Sequence, residues 1–331
     1  MSVMKKTFFL ILLCAVALLL LAYKTTIRPV EIGICVPDSA NPFVGWLASA
    51  VKEQAAQDGI NVQVADAGNN PVRQLEQIEN FIAMKVKSLA IMPIDPGNVQ
   101  PAIEKAQQQG IKVLVIGTDT SRYDVMMYMD QYLAGKMVAE MGIEWLEKNI
   151  LPTLSGRESK KPKTINISAT TTVDLTNRSQ GMIDKMQEWG KAEVIVAPVE
   201  AQATAAAVKI LENMWQKNSD AVLLLCYDAD AALGVNEYLL WQSGINRAAL
   251  AIFAADWSPQ IQEVLNASVD NKSLFRGSIQ VVGPVIQGRQ IPFAEATYRI
   301  LKGFVHGNYA WGFKIFNMIE KKCGLVFAPE E

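Results

Sequence analysis

Short apolar runs alternate with amphipathic stretches along most of the chain. The first run after the N-terminal region, Glu31–Val36, predicts a strand, and a helix is predicted from Asn41, its N-cap, to Asp58. Ile111–Ile116 is apolar except for Lys112, as expected for a parallel strand that is buried on both faces. Repeated strand, loop and helix units of this kind predict an α/β fold with a parallel sheet.

The same order of elements begins again after a polar segment. Leu151–Lys163 carries five charged side chains and is interpreted as a solvated loop rather than a binding patch. Beyond it, a strand is predicted at Thr164–Ser168 and a helix from about Asn177 to Gly190, and further units follow. Two successive sets of similar size predict two lobes, and a cleft between such lobes is a natural small-molecule site.

The N-terminal region predicts export across a membrane. Two lysines precede an unbroken apolar run of 16 residues from Phe8 to Tyr23, which is the layout of a signal peptide. The run is short for a span, and the small residue expected before a cleavage site is missing. We therefore expect residues 1–23 to be either a signal peptide or an uncleaved anchor that contacts the membrane, with 24–30 as a tether. Both alternatives place the protein in the periplasm or on the outer face of the cytoplasmic membrane.

The amino-acid composition argues against several classes of function. A chain of 331 residues with a formal charge of −2 lacks the basic surface that a nucleic-acid partner requires. The four cysteines are scattered, and the single histidine has no cysteine at metal-ligand spacing, so no metal site is expected. Because the sequence has no glycine-rich phosphate loop and no nucleophile motif, we expect neither an enzyme nor a bound cofactor.

Six short motifs occur in a fixed order along the chain. Those of the first half are Val36–Phe43, Asp66–Pro71 and Pro93–Pro96, and those of the second half are Arg178–Met182, Asp228–Gly234 and Ala255–Pro259. In this order and spacing they resemble the motifs of the type I periplasmic sugar-binding proteins, the group that includes the ribose-binding proteins. The resemblance extends from about Glu31 to Gly303.

This resemblance implies two Rossmann-like lobes joined by a three-segment hinge. The N-terminal lobe is expected to comprise 31–131 plus 281–305, and the C-terminal lobe 132–280 plus 306–331. Relatives of this kind close on a small-molecule ligand, a sugar or polyol, and deliver it to an ABC transporter permease. Some relatives instead present a signal ligand to a membrane receptor or histidine kinase, so a sensory binding protein is the alternative.

Four residues match ligand-binding positions of the family. Asn41 and Phe43 resemble the amide and the stacking ring of the first lobe, Arg178 the arginine that donates to ring oxygens, and Asp256 the aspartate that accepts from a hydroxyl pair. These residue types suit a sugar, which presents pairs of hydroxyls and apolar C–H faces.

Four further candidates lie where the chain departs from the family pattern. Asp228 replaces an asparagine, which exchanges a donor and acceptor for a carboxylate and makes a ligand with an amine or additional hydroxyl donors conceivable. Asp119 follows Gly117-Thr118, which stand where the family has an Asp-Arg pair. Trp257 is a candidate replacement for a missing aromatic ring of the second lobe, and Gln280 for the hinge glutamine.

Overall fold

The computed structural model describes residues 28–154, 161–199, 201, 203–309, 315–317 and 325–327. Its strands are β1 (Ile32–Val36), β2 (Val62–Asp66), β3 (Ser88–Ile91), β4 (Lys112–Gly117), β5 (Val125–Tyr128), β6 (Lys163–Ala169), β7 (Glu193–Val199), β8 (Ala221–Cys226), β9 (Ala251–Ala255), β10 (Phe275–Ile279), β11 (Val285–Ile286), β12 (Arg289–Gln290), β13 (Ile315–Asn317) and β14 (Leu325–Phe327). Its helices are α1 (Pro42–Gln57), α2 (Pro71–Ala83), α3 (Pro96–Gln108), α4 (Gln131–Asn149), α5 (Val173–Trp189), α6 (Thr204–Trp215), α7 (Ala229–Leu240), α8 (Pro259–Ala267) and α9 (Phe293–His306), with short 3₁₀ helices at Leu151–Leu154 and Arg247–Ala249.

The strands form two large sheets, one in each lobe. The first sheet has the order β13-β5-β4-β3-β1-β2, and each neighbouring pair is parallel. The second has the order β14-β10-β9-β8-β6-β7, in which only the edge strand β14 runs antiparallel to its neighbour. The two α/β lobes with predominantly parallel sheets agree with the fold class predicted from the sequence.

The strand order requires the described chain to pass between the sheets three times. It leaves the first sheet after β5, returns to the first lobe after β10, and passes to the second sheet between β13 and β14. A hinge of three segments is what the resemblance implies, although the third crossing follows β13 and not residue 305. Residues 306–331 were expected in the second lobe, but β13 pairs with β5 and extends the first sheet. The backbone hydrogen-bonding groups at the outer edge of β5 account for this position, since an unpaired strand edge readily accepts another strand.

The core follows the apolar runs of the sequence. β1 is buried along its whole length, and Val113 to Ile116 of β4 are also buried, because helices cover both faces of each parallel sheet. Cys35 in β1 and Cys226 in β8 are buried free thiols, and burial raises the pKa of both. The two cysteines are therefore unreactive packing residues, as expected.

One helix begins earlier than the sequence pattern indicated. The helix expected from about Asn177 starts at Val173, because the hydroxyl of Thr172 accepts a hydrogen bond from the backbone N–H of Leu175 (3.2 Å) and caps it. The earlier start lengthens α5 by about one turn, and Asp174 lies in the first turn of the helix.

The predicted signal peptide or anchor, residues 1–23, and most of the tether lie outside the described residues. Among the residues that are described, no helix is both long and apolar enough to cross a membrane.

Candidate functional site

A cleft lies between the two lobes, lined by loops that follow β1, β3 and β4 of the first sheet and β8 and β9 of the second. In parallel α/β sheets, ligands bind outside these carboxyl ends. The cavity volume is about 120 Å³, which equals the liquid volume of about four water molecules. The polar residues of its lining are Asn41, Asn69, Thr118, Gln131, Thr172, Asp174, Arg178, Asp228 and Asp256.

Asn41 stands at the first-lobe side of the cleft and caps α1. Its side-chain oxygen accepts hydrogen bonds from the backbone N–H groups of Phe43 (3.0 Å) and Val44 (3.2 Å). These two bonds hold the amide in one orientation, with the oxygen turned to the helix. The amide nitrogen is the donor that Asn41 can offer to a ligand.

Phe43 lines the cleft as part of an aromatic cluster. Its ring centroid lies 5.6 Å from that of Phe293 on α9 and 6.1 Å from that of Trp46 on α1. Contacts on two sides leave Phe43 only 4% exposed, so its ring is fixed before any ligand arrives. A fixed aromatic surface suits the C–H face of a sugar ring.

Arg178 projects from α5 into a set of acceptors on the second-lobe side. Its Nε and Nη2 donate to Oε1 of Gln131 (2.9 and 2.6 Å), and Nη1 donates to the carbonyl oxygen of Tyr227 (2.8 Å) and to Asp256 Oδ2 (2.9 Å). Burial disfavours its charge, but the nearby carboxylates, Asp256 first and then Asp228 and Asp174, together outweigh this and raise the pKa of the guanidinium. Arg178 is therefore a charged and rigid group, with four of its five N–H donors engaged by described residues.

Asp256 follows β9 in a left-handed backbone conformation, with φ of 72°. The hydroxyl of Ser278 donates to its carbonyl oxygen (2.9 Å), which holds this conformation. Its carboxylate and the Arg178 side chain are 13% and 6% exposed. The two groups predicted as ligand contacts thus form a buried ion pair at the wall of the cleft.

Asp228 caps α7 from within the cleft. One carboxylate oxygen, Oδ1, accepts from the backbone N–H of Ala231 (2.8 Å), and the residue is 2% exposed. Burial, followed by the like charge of Asp256, raises the pKa of Asp228 to about 7. Near neutral pH this group therefore exchanges between a neutral acid and a carboxylate.

This raised pKa predicts a pH-dependent stability. An unfolded aspartate titrates near pH 4, so between about pH 4 and about pH 7 the folded chain holds a proton that the unfolded chain has lost. Stability from this group is complete at low pH and falls as pH rises to about 7. Asp228→Asn, which keeps a helix cap, is expected to raise the free energy of unfolding near pH 8 by ~1–2 kcal/mol and to change it little near pH 4.

Urea denaturation at both pH values measures the effect. Asp95→Asn is the matched control, because Asp95 also caps a helix but is partly exposed and outside the cleft lining. An equal change for Asp228→Asn at the two pH values would contradict the assignment of the titration to Asp228.

Asp174 is a lining residue that sequence reasoning missed. It belongs to α5 of the second lobe, yet its carboxylate hydrogen-bonds the side chain of Thr118 after β4 of the first lobe. Burial raises its pKa, while the bond from Thr118 and the charge of Arg178 oppose the shift. The signal that could have identified it is Thr172 as an N-cap, which places Asp174 in the first turn of a helix that enters the cleft.

Three expected site residues lie outside the lining. Asp119 is exposed and its carboxylate accepts from the backbone N–H of Ser121 (2.7 Å), so the turn directs it away and Thr118 faces the cleft instead. Gln280 lies just beyond β10 and is not among the lining residues. Trp257 also does not line the cavity, because its indole packs against the opposite lobe.

Trp257 forms an aromatic contact between the lobes. Its ring centroid lies 5.8 Å from that of Trp46 on α1, edge to face at 82°, and its Nε1 donates to Gln262 Oε1 (3.0 Å). Such a pair depends on the relative position of the two lobes and adds ~0.5–1.5 kcal/mol to their association.

We therefore expect ligand-induced movement of the lobes to change the emission of Trp257. Trp257→Phe should lose most of the ligand-dependent fluorescence change, although six other tryptophans remain. Trp241→Phe is the control, because Trp241 is 83% exposed and outside both the contact and the cleft. If Trp257→Phe kept the full ligand-dependent fluorescence change, the contact between Trp46 and Trp257 would not respond to the ligand.

The chain has two α/β lobes that face each other across a polar cleft, and this is the architecture of two-lobed binding proteins. The family described as periplasmic binding protein domain matches residues 32–277, and the chain belongs to this family. The family expected from the six motifs is thereby confirmed. Relatives of the chain are named as binding proteins, and the expectation that the chain is not an enzyme accords with those names.

Two relatives illustrate the sequence similarity. The chain is 22% identical to the ribose import binding protein RbsB of Bacillus subtilis over 209 residues, which is 62% of this chain and 64% of that protein. It is 25% identical to the galactofuranose-binding protein YtfQ of Escherichia coli over 114 residues, 32% of this chain and 35% of that protein. The matched regions thus span less than two thirds of either relative.

Solved structures share the fold over most of the chain. An ABC transporter solute-binding protein from Mycobacterium smegmatis with bound glycerol has a TM-score of 0.68 and 18% identity, covering 91% of this chain and 94% of that one. The myo-inositol binding protein of Caulobacter has a TM-score of 0.67 and 16% identity with the same coverage. At these identities the likeness establishes the two-lobed fold.

Proposed function

We propose that this protein is an exported solute-binding protein that captures a sugar or polyol between its lobes for an ABC importer. The observation that carries the proposal is the cleft itself, in which a fixed aromatic ring, Phe43, is combined with the ion pair of Arg178 and Asp256. An aromatic face and paired polar groups are the complement of a sugar ring with its hydroxyls.

Ligand capture requires both lobes. Asn41 and Phe43 belong to the first lobe, whereas Arg178, Asp228 and Asp256 belong to the second. A ligand that contacts both sides stabilises the closed arrangement by its additional contacts there. The closed form is then the shape that an ABC transporter permease recognises.

The relatives favour transport over sensing. RbsB of Bacillus subtilis is named as an import binding protein, and the Mycobacterium smegmatis structure as an ABC transporter component. We extend this role to the present chain, together with delivery to the periplasm or to the outer face of the cytoplasmic membrane through the N-terminal segment.

A thermal-shift screen of the purified full-length protein tests the proposal. The panel contains pentoses, hexoses, cyclic polyols and, as controls, amino acids and nucleosides. A ligand at a hundred times its Kd stabilises the folded state by about 2.7 kcal/mol, so a sugar or polyol should raise the Tm. A shift produced only by amino acids or nucleosides would refute the assignment to sugars.

A further inference from the structure

The described lining of the cleft contains more acidic than basic side chains. Three aspartates line it, Asp174, Asp228 and Asp256, against one cationic side chain of the described lining, Arg178. Asp256 is paired with Arg178 at 2.9 Å. Among the described residues, Asp174 and Asp228 therefore face the cavity without an ion-pair partner of their own.

Asp228 also presents an unused acceptor. Its Oδ1 is engaged by the N–H of Ala231 (2.8 Å), while Oδ2 has no hydrogen-bond partner in the part of the chain that the structure describes. The residue is 2% exposed and borders the cavity, so a molecule within the cavity is the available donor to Oδ2. Oδ2 is not enclosed by the described residues but open to the cavity, so a ligand in the cavity can donate a hydrogen bond to it.

Arg178 is not free to supply that donor. Its guanidinium is held by Gln131, by the carbonyl of Tyr227 and by Asp256. Moving it toward Asp228 would break these bonds within a buried site. A cation that takes the place of the proton on Asp228 therefore comes from the ligand rather than from Arg178.

Resting on the proposed function, we infer that the cleft selects an aminated monosaccharide or cyclitol, whose ammonium group binds Asp228 in the negative field of Asp174. An ammonium group donates up to three hydrogen bonds and carries a charge, whereas a hydroxyl donates one. Charge-assisted hydrogen bonds are also stronger than neutral ones. The rest of the polyol ring is bound as proposed above, by Phe43 and by the Arg178–Asp256 pair.

The protonation of Asp228 is consistent with this ligand. Burial and the charge of Asp256 raise the pKa of Asp228 to about 7. The free protein thus places a proton on a carboxylate that lacks a cation. An ammonium group would replace that proton and restore the charged form.

Matched ligand pairs test the inference by calorimetry with the full chain near neutral pH. The pairs are glucosamine and glucose, galactosamine and galactose, and an aminodeoxyinositol and myo-inositol. At least one amino compound should bind roughly 10-fold or more tightly than its hydroxyl partner. N-acetylglucosamine, which keeps the nitrogen without the charge, should lose this preference.

Two variants test whether Asp228 is responsible for the tighter binding of the amino compounds. Asp228→Asn keeps the helix cap and should reduce the amino preference to about threefold or less. Asp95→Asn, a helix-cap aspartate outside the lining, should keep the full preference.

The outcomes separate this inference from the proposed function. Neutral sugars that bind as tightly as their amino partners would overturn the inference and leave the sugar-binding function in place. An amino preference that Asp228→Asn leaves intact would also overturn it. If no sugar or polyol binds, with or without an amine, both the inference and the proposed function are overturned. The same holds if a simple diamine binds and no sugar or polyol does.

Discussion

Replacing Asp256 with alanine is expected to weaken ligand binding about 100-fold or more. The substitution removes a predicted hydroxyl acceptor and leaves the buried guanidinium of Arg178 without its counter-charge. Removing one partner of a buried ion pair costs ~3–5 kcal/mol, so the folded state should also lose stability. Because Arg178 keeps its bonds to Gln131 and to the carbonyl of Tyr227, the protein should still fold.

The backbone at this position requires a second variant. Asp256 has a φ of 72°, which alanine adopts at a cost of ~1–2 kcal/mol. Asp256→Asn keeps a side chain that tolerates this conformation and removes only the charge. Calorimetry should show weakened binding in both variants. Unchanged affinity in Asp256→Asn would remove the carboxylate from the ligand site.

Gly181→Ala is expected to lower stability by ~3 kcal/mol and to weaken binding about 10-fold, although Gly181 does not line the cleft. A Cβ at this position would lie well inside contact distance of the carbonyl oxygen of Tyr132 on the neighbouring helix. A Cβ at Gly135, on the facing side, would meet the carbonyl oxygen of Arg178 in the same way. Forcing α4 and α5 apart would separate Gln131 from Arg178, which lie on these two helices.

Gly303→Ala is the matched control for this prediction. Gly303 also lies within a helix, α9, but a Cβ there would come no closer than 3.4 Å to its neighbours. This substitution should leave affinity unchanged and stability unchanged or up to ~1 kcal/mol higher. Denaturation and titration of both variants measure the difference. A Gly181→Ala protein as stable as Gly303→Ala would contradict the close-packing account.

The sequence predicts those parts of the structure that depend on residues close together in the chain. The N-cap asparagine at position 41 and the apolar run of β1 define one strand, loop and helix unit, and repetition of that unit predicts the two lobes. Arg178 and Asp256 were expected at the ligand site because they match positions in the motifs of the family that the chain resembles. The structure places both residues in the cleft lining.

The remaining features depend on contacts between distant parts of the chain. Asp174 enters the cleft because Thr172 starts α5 early and because Thr118 of the other lobe bonds to it. Trp257 was expected to face the ligand, yet the position of Trp46 across the lobes gives it a different partner. Likewise, β13 joins the first sheet only because β5 leaves an edge open, a property of the assembled fold.

The most direct test of the account is a calorimetric titration of the full-length protein with the sugar or polyol that most strongly raises its Tm. One ligand should bind per chain, and Arg178→Lys should weaken its binding about 100-fold, since lysine cannot reproduce the forked contacts to Gln131, Tyr227 and Asp256. Unchanged affinity in Arg178→Lys, or the absence of binding by every sugar and polyol in the panel, would contradict a sugar site in the cleft.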